Sequence, residues 1–168
     1  GAAMRHLPVV FMSLHSEELL VQRSIEQAHL THNHPKSDAA VSTLACMTRQ
    51  LLLEGGQARC NQIATDLIAR HPEFGFQPWP GRASGYVVDT VQTVFDGFFN
   101  TGGFEDCLVR VVNRGGDADT TGALAGQLAG ALYGVRGIPS RWLRRLDPNV
   151  VAAISDQTPK LLRLSKPS

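Results

Sequence analysis

Gly122, Gly126, Gly130 and Gly134 recur at intervals of four, with Ala125 and Ala129 beside them. On a helix, that spacing leaves one edge nearly free of side chains. Glycine in a helix interior is about 1 kcal/mol less favourable than alanine, so some close approach must offset Gly126, Gly130 and Gly134. Tight packing of this edge against a second helix is the expectation. The chain must therefore fold around helix-to-helix contacts. It has the means, because 168 residues with 43% hydrophobic content make up about one domain and can bury a core.

The remaining segments agree with that constraint. Ser16 followed by Glu17 and Glu18 is a helix start, and Leu19, Leu20, Ile25 and Ala28 line one face of a helix from about Ser16 to Leu30. Pro35 suits a first helical position, and Ala39 to Leu52 keeps a helical period until Gly55-Gly56 stops it. Gln57 to Arg70 repeats the pattern and ends before Pro72. The segment HPEFGFQPWPGRAS is too rich in Pro and Gly for helix throughout, and it reads as an ordered loop because Phe74, Phe76 and Trp79 would be costly to leave in water. GYVVDTVQTVFDGFF is β-branched, yet Val87, Val91, Val94, Phe95 and Phe98 recur at threes and fours, so it reads as helix. Phe104 to Val112, Gly122 to Gly134, Pro139 to Leu146 and Pro148 to Leu164 complete the helices, with Pro159 breaking or kinking the last. The fold class is all-α, a single domain over residues 1–168.

Composition excludes several functions. Sixteen basic residues against fifteen acidic give +1, so no whole-chain field attracts nucleic acid or an anionic membrane. Arg136, Arg141, Arg144 and Arg145 read as a solvated face. Cys46, Cys60 and Cys107 are odd in number and widely spaced, forming neither a zinc knuckle nor a disulfide framework; a reduced, cytoplasmic chain is expected. No apolar run approaches the roughly 18–20 residues of a membrane helix. The opening GAAMRHLPVV is no signal peptide, and starting at Gly1 suggests processing or a longer parent chain.

The chemistry concentrates in NRGGDADTTG. Residues two apart on a helix diverge, so Asp117 and Asp119 converge only if a turn precedes the helix, and Gly115-Gly116 supplies it. Asp117, Asp119, Thr120 and Thr121 then offer only hard oxygen donors beside the positive helix end, which fits Mg²⁺, Mn²⁺ or Ca²⁺ and not zinc. Plain helix capping is the alternative for such a short motif. An EF-hand fails, since the twelfth residue from Asp117 is Leu128. His29, His32 and His34 lie close together, but no second cluster completes a transition-metal shell.

GGDADTTGALAGQLAGALYG, with SGYVVDTVQTVF, THNHP and GAAMR, closely resembles the ADP-ribosylglycohydrolases, in particular the branch acting on dinitrogenase reductase. The resemblance covers the chain through about Asp147. It implies a compact orthogonal helical bundle and removal of ADP-ribose from arginine side chains of modified proteins, dinitrogenase reductase among them. It further implies two Mg²⁺ or Mn²⁺ ions, with Asp117, Asp119 and Thr120 as metal ligands. Gly116 would lie where the backbone approaches the ribose, Tyr86 matches a substrate-contacting tyrosine, and His32 matches the histidine of the TH-x-H-P block. C–N cleavage at the anomeric carbon is oxocarbenium-like, and a metal pair suits it by fixing ribose hydroxyls and activating water.

The family's acidic Thr-Asp-Asp-Thr motif and Gly-Asp-rich opening block do not occur here. The chain is therefore expected to correspond to the C-terminal part of such an enzyme, with the N-terminal portion, the catalytic acid or base included, missing. Asp89, Asp96 and Asp106 lack a matching context and are not assigned in its place. Three classes follow: a hydrolase or part of one, an inert ADP-ribose-binding module, and a helical interaction fragment. A metal-dependent enzyme transferring glycosyl or phosphoryl groups is a weaker alternative.

Overall fold

The computed structural model describes residues 1–165. Its α-helices are α1 (Leu7–Met12), α2 (Glu17–His29), α3 (Pro35–Leu53), α4 (Ala58–Arg70), α5 (Val87–Phe99), α6 (Phe104–Val112), α7 (Ala118–Tyr133), α8 (Ser140–Leu143) and α9 (Pro148–Leu164). Among the described residues there is no strand, and no helix is long and apolar enough to cross a membrane.

Local signals place most of these helices. The Ser16 side chain accepts from the Leu19 N–H at 3.2 Å to cap α2, and Gly55 and Gly56 end α3 with φ of +68° and +80°, a region open to glycine. The β-branched segment is helical because its apolar residues must close around one core. Every α5 residue from Thr90 to Phe98 is buried, as expected of a helix enclosed on all sides.

α5 is the hub, lying against α3, α6 and α7, while α3 also packs on α2, α4 and α7. Its buried polar groups reach outward to the irregular segment 71–86. Gln92 Nε2 donates to the Glu73 and Gly75 carbonyls, both at 2.8 Å, and Thr90 Oγ1 donates to the Ser84 carbonyl at 3.0 Å. Thr93 Oγ1 donates to the Asp89 carbonyl at 2.8 Å and accepts from Trp79 Nε1 at 3.2 Å. With Phe74 and Phe76 buried in the core, the loop is held as firmly as a helix. Its order follows from satisfying buried polar groups.

Four expectations need correction. α1 falls outside the sequence reading because it is a short helix with no side-chain cap on His6. α7 begins at Ala118 rather than Gly122, since Asp117 takes the cap position and its carbonyl accepts from the Thr121 N–H at 3.1 Å. α8 has only four residues. α9 runs through Pro159 without ending; the carbonyl freed by the missing N–H lies on an exposed helix, where water can satisfy it.

The glycine edge of α7 does face α6, but less tightly than its spacing suggests. A Cβ on Gly122 would sit 3.1 Å from Val112 Cγ2, whereas Gly126 would meet Leu108 Cδ1 at 3.8 Å and Gly130 would meet Phe104 Cε2 at 4.0 Å, which are ordinary contacts. Gly134 lies beyond the helix with φ +64° and ends it. Close approach is required instead at Gly97 of α5, where a Cβ would stand 2.2 Å from Val111 Cγ2. Gly126→Ala is thus expected to be neutral or to stabilise by up to about 1 kcal/mol, and Gly97→Ala to destabilise by about 1–3 kcal/mol. Chemical denaturation of both variants checks this, and equal effects would refute the contrast.

Candidate functional site

The turn before α7 is built by two glycines in the left-handed region, Gly115 at φ +74° and Gly116 at +60°. A Cβ on Gly116 would stand only 1.8 Å from the Ala83 carbonyl oxygen. The following Asp117 N–H donates to that carbonyl at 2.8 Å. The turn is therefore docked on the loop at Ala83, and the closeness that glycine allows at 116 is taken by protein backbone.

Asp117 is thereby directed over Gly85, whose Cβ, if present, would lie 2.9 Å from Asp117 Oδ2. Asp119 follows in the first turn of α7. The two carboxyls are neighbours at the start of α7. The neighbouring Asp117 carboxyl, then the backbone N–H groups of Thr120 and Asp119, hold the Asp119 carboxyl below its usual range. Among the described residues no Lys or Arg pairs with either acid.

That arrangement tests the fit of a cation. Two neighbouring carboxyls with no basic partner, at a positive helix end, offer only oxygen donors, which suit a hard divalent ion. Asp117, at the cap position, makes no side-chain capping bond, whereas the Asp119 carboxyl is held by backbone N–H groups of the first turn, as a capping acid would be. Among the described residues no group of three or more His, Cys, Asp or Glu able to hold a metal occurs.

Beside the turn opens a cleft of about 430 Å³ lined by His32, His34, Lys36, Tyr86, Thr90 and Thr120, with Gly85 on its wall. The sequence-predicted His32, Tyr86 and Thr120 thus converge here. Asp117 abuts the cleft through Gly85, while Gly116 faces Ala83 instead. His32 is fixed by a relay in which Arg5 Nη2 donates to Thr31 Oγ1 at 2.6 Å and Thr31 Oγ1 lies 2.7 Å from His32 Nδ1. The Gly1 backbone also lies against the His32 ring, bringing the GAAMR and THNHP blocks together.

Sequence reasoning missed Lys36. Its Nζ lies 3.2 Å from Glu73 Oε1 and 3.3 Å from the half-exposed Tyr86 hydroxyl. The hydrogen bond to Glu73, then that to Tyr86, raises its pKa, so a cation stands at the cleft. The adjoining HPK triplet was its only signal. Two of the three neighbouring histidines have protein partners: His29 Nε2 pairs with Asp38 at 2.9 Å, and His34 caps α3 by accepting from the Lys36 N–H at 3.1 Å. The cysteines are free, and burial pushes all three thiols up to about 11.

The family model for ADP-ribosylglycohydrolase matches residues 1–167. The chain belongs to the ADP-ribosylglycohydrolase family. It is 48% identical over 165 residues to the ADP-ribosyl-[dinitrogen reductase] glycohydrolase of Rhodospirillum rubrum, covering 98% of this chain and 56% of the relative. To the ADP-ribosylarginine hydrolase Tri1 of Pseudomonas putida it is 32% identical over 156 residues, 87% of this chain and 41% of the relative. A solved ADP-ribosylglycohydrolase-related protein complex matches with TM-score 0.86 and 31% identity, over 98% of this chain and 60% of the other. The chain spans about half the length of the curated relatives it matches. The ADP-ribosylglycohydrolase blocks read in the sequence therefore coincide, in the fold, with one cleft and the turn beside it.

Proposed function

We propose that this chain supplies part of a metal-dependent active site that hydrolyses the N-glycosidic bond between ADP-ribose and a protein arginine, as in reactivation of dinitrogenase reductase. The observation that carries the reading is the placement of Asp117, against Gly85, and Asp119, both without a basic partner, beside a cleft lined by His32, Lys36, Tyr86 and Thr120. Asp117, Asp119 and the Thr120 hydroxyl would hold Mg²⁺ or Mn²⁺, two ions being expected in the full site. When bound, such ions fix ribose hydroxyls and supply an activated water for an oxocarbenium-like displacement.

The chain's own residues handle recognition. Lys36 Nζ and the His32 ring are polar groups suited to diphosphate oxygens, and the exposed Tyr86 ring offers a face for the nucleotide. Gly85 keeps the wall beside Asp117 free of a side chain that would separate the carboxylate from the cleft.

Calorimetry is expected to show Mn²⁺ binding by the chain that Asp119→Ala abolishes, and ADP-ribose binding weakened by Lys36→Ala. Equal Mn²⁺ binding by the wild type and the Asp117→Ala/Asp119→Ala double variant would overturn the ligand assignment. Free ADP-ribose release from an ADP-ribosylated arginine protein should be slow, because two carboxylates position only part of such a metal shell and preorganised electrostatics supply several kcal/mol of barrier lowering. The small donor set equally favours a second reading, an ADP-ribose-binding module without turnover. Robust turnover that Asp117→Ala eliminates would decide for the hydrolase, and turnover surviving it would refute the metal ligands.

A further inference from the structure

Asp96 is buried at the C-terminal end of α5, its side chain 4% exposed. It meets two arginines: Arg110 donates through Nε and Nη2, both at 2.9 Å, and Arg114 donates through Nη2 at 2.8 Å. Burial by itself would raise its carboxyl, but the hydrogen bonds from Arg110 and Arg114 more than reverse this and keep it ionised. Arg114 also lies over Trp79, its guanidinium carbon 3.9 Å from the ring centroid. Trp79 is itself fixed by its indole bond to Thr93 on α5.

Arg114 directly precedes Gly115-Gly116-Asp117. The two glycines occupy a conformation that the unfolded chain leaves freely, so the turn needs anchors on both sides. One is the Asp117 N–H bond to Ala83. The other is Arg114, held by a carboxylate on α5 and an indole from the same loop that carries Ala83. A planar guanidinium suits this dual contact, since it can hydrogen-bond at its edge while stacking on its face. Arg110 shares Asp96 but lies a full helical turn earlier, within α6.

We propose that Arg114 is a positioning residue for the Asp117–Asp119 pair: pinned on Asp96 and stacked on Trp79, it fixes the glycine turn that aims the two carboxylates. The consequence for metal affinity rests on the proposed cation role of that pair; the consequence for the turn does not. Groups that orient ligands from behind typically change metal affinity by about 10–100-fold when removed.

The test compares the wild type, Arg114→Ala and Arg110→Ala of the whole chain. Amide hydrogen exchange at Asp117 and Mn²⁺ affinity by electron paramagnetic resonance are the two readouts. Arg114→Ala is expected to strip protection from the Asp117 amide while the α3 and α5 amides keep theirs, and to weaken Mn²⁺ by about 10–100-fold. Arg110→Ala, which loosens Asp96 without touching the turn, should change neither. If Arg114→Ala fails to fold, Arg114→Lys is read the same way, because it retains the charge but not the planar stack. Full Asp117 protection in the Arg114 variant, or equal losses in the Arg110 variant, overturns the proposal. If the wild type takes up no Mn²⁺, the cation role fails by itself, and exchange at Asp117 alone decides whether Arg114 holds the turn.

Discussion

Replacing Gly116 with alanine is expected to destabilise the protein by about 3–5 kcal/mol and to remove Mn²⁺ binding together with it. Three effects combine. A non-glycine residue at φ +60° costs about 1–2 kcal/mol. The new Cβ would stand 1.8 Å from the Ala83 oxygen, so backbone must move on one side or the other. Any such movement breaks the Asp117 N–H bond to Ala83, with a net loss near 1 kcal/mol, more if the carbonyl stays buried without a partner. Gly115→Ala is the control, for its φ is +74° but no atom lies within 4 Å of its Cβ position; it should lose about 1–2 kcal/mol from the backbone angle alone. Urea denaturation separates the two, and equal losses would show that the approach to Ala83 has no energetic weight.

A second large effect is expected at Phe95, distant from the carboxylates. Its ring is fully buried and packs edge-on against Phe76 at 5.5 Å and Phe99 at 5.6 Å, while Phe76 and Phe99 stack on each other. Phe95→Ala should cost about 3–5 kcal/mol, the lost transfer energy plus a cavity that the two neighbouring aromatic rings cannot close. The loss should also reach the site. Phe76 anchors the loop that carries Trp79 and Ala83, so loosening it removes support for the turn before α7. Thermal unfolding measures the first effect and amide exchange at Asp117 the second. A loss no larger than the roughly 0.5 kcal/mol of a surface substitution would show that the ring contributes nothing its neighbours cannot replace.

The acid pair and the cleft were partly legible in advance. Asp117, Asp119 and Thr120 stand out because glycines followed by acids and hydroxyls mark a turn with hard donors, and these signals lie within six residues of one another. His32 and Tyr86 were assigned only through the family resemblance, and the fold places both at the cleft with Thr120. Lys36 and Gly85 carry no signal of their own: a lysine after a proline and a glycine before a tyrosine are ordinary until the fold sets them beside Glu73 and Asp117. Asp96, isolated in the sequence, acquires its role only when α6 and the turn bring two arginines to it.

What the sequence determined by itself was local. The Ser16 cap, the Gly55-Gly56 stop, the helical period through Val87–Phe99 and the glycine turn before Asp117 each act within a few residues, where capping bonds, backbone angles and apolar periodicity are decided. The tertiary structure alone decided which glycines must be glycine. The four-residue spacing on α7 leaves room for a Cβ at Gly126 and Gly130, while Gly97, with no pattern around it, and Gly116, marked in the sequence only as part of a turn, meet Val111 and Ala83 at distances no side chain tolerates. Closeness of that kind depends on how helices cross and how a loop is tied down by buried polar groups on another element. Those are relations between segments far apart in the chain, which periodicity along one segment does not encode.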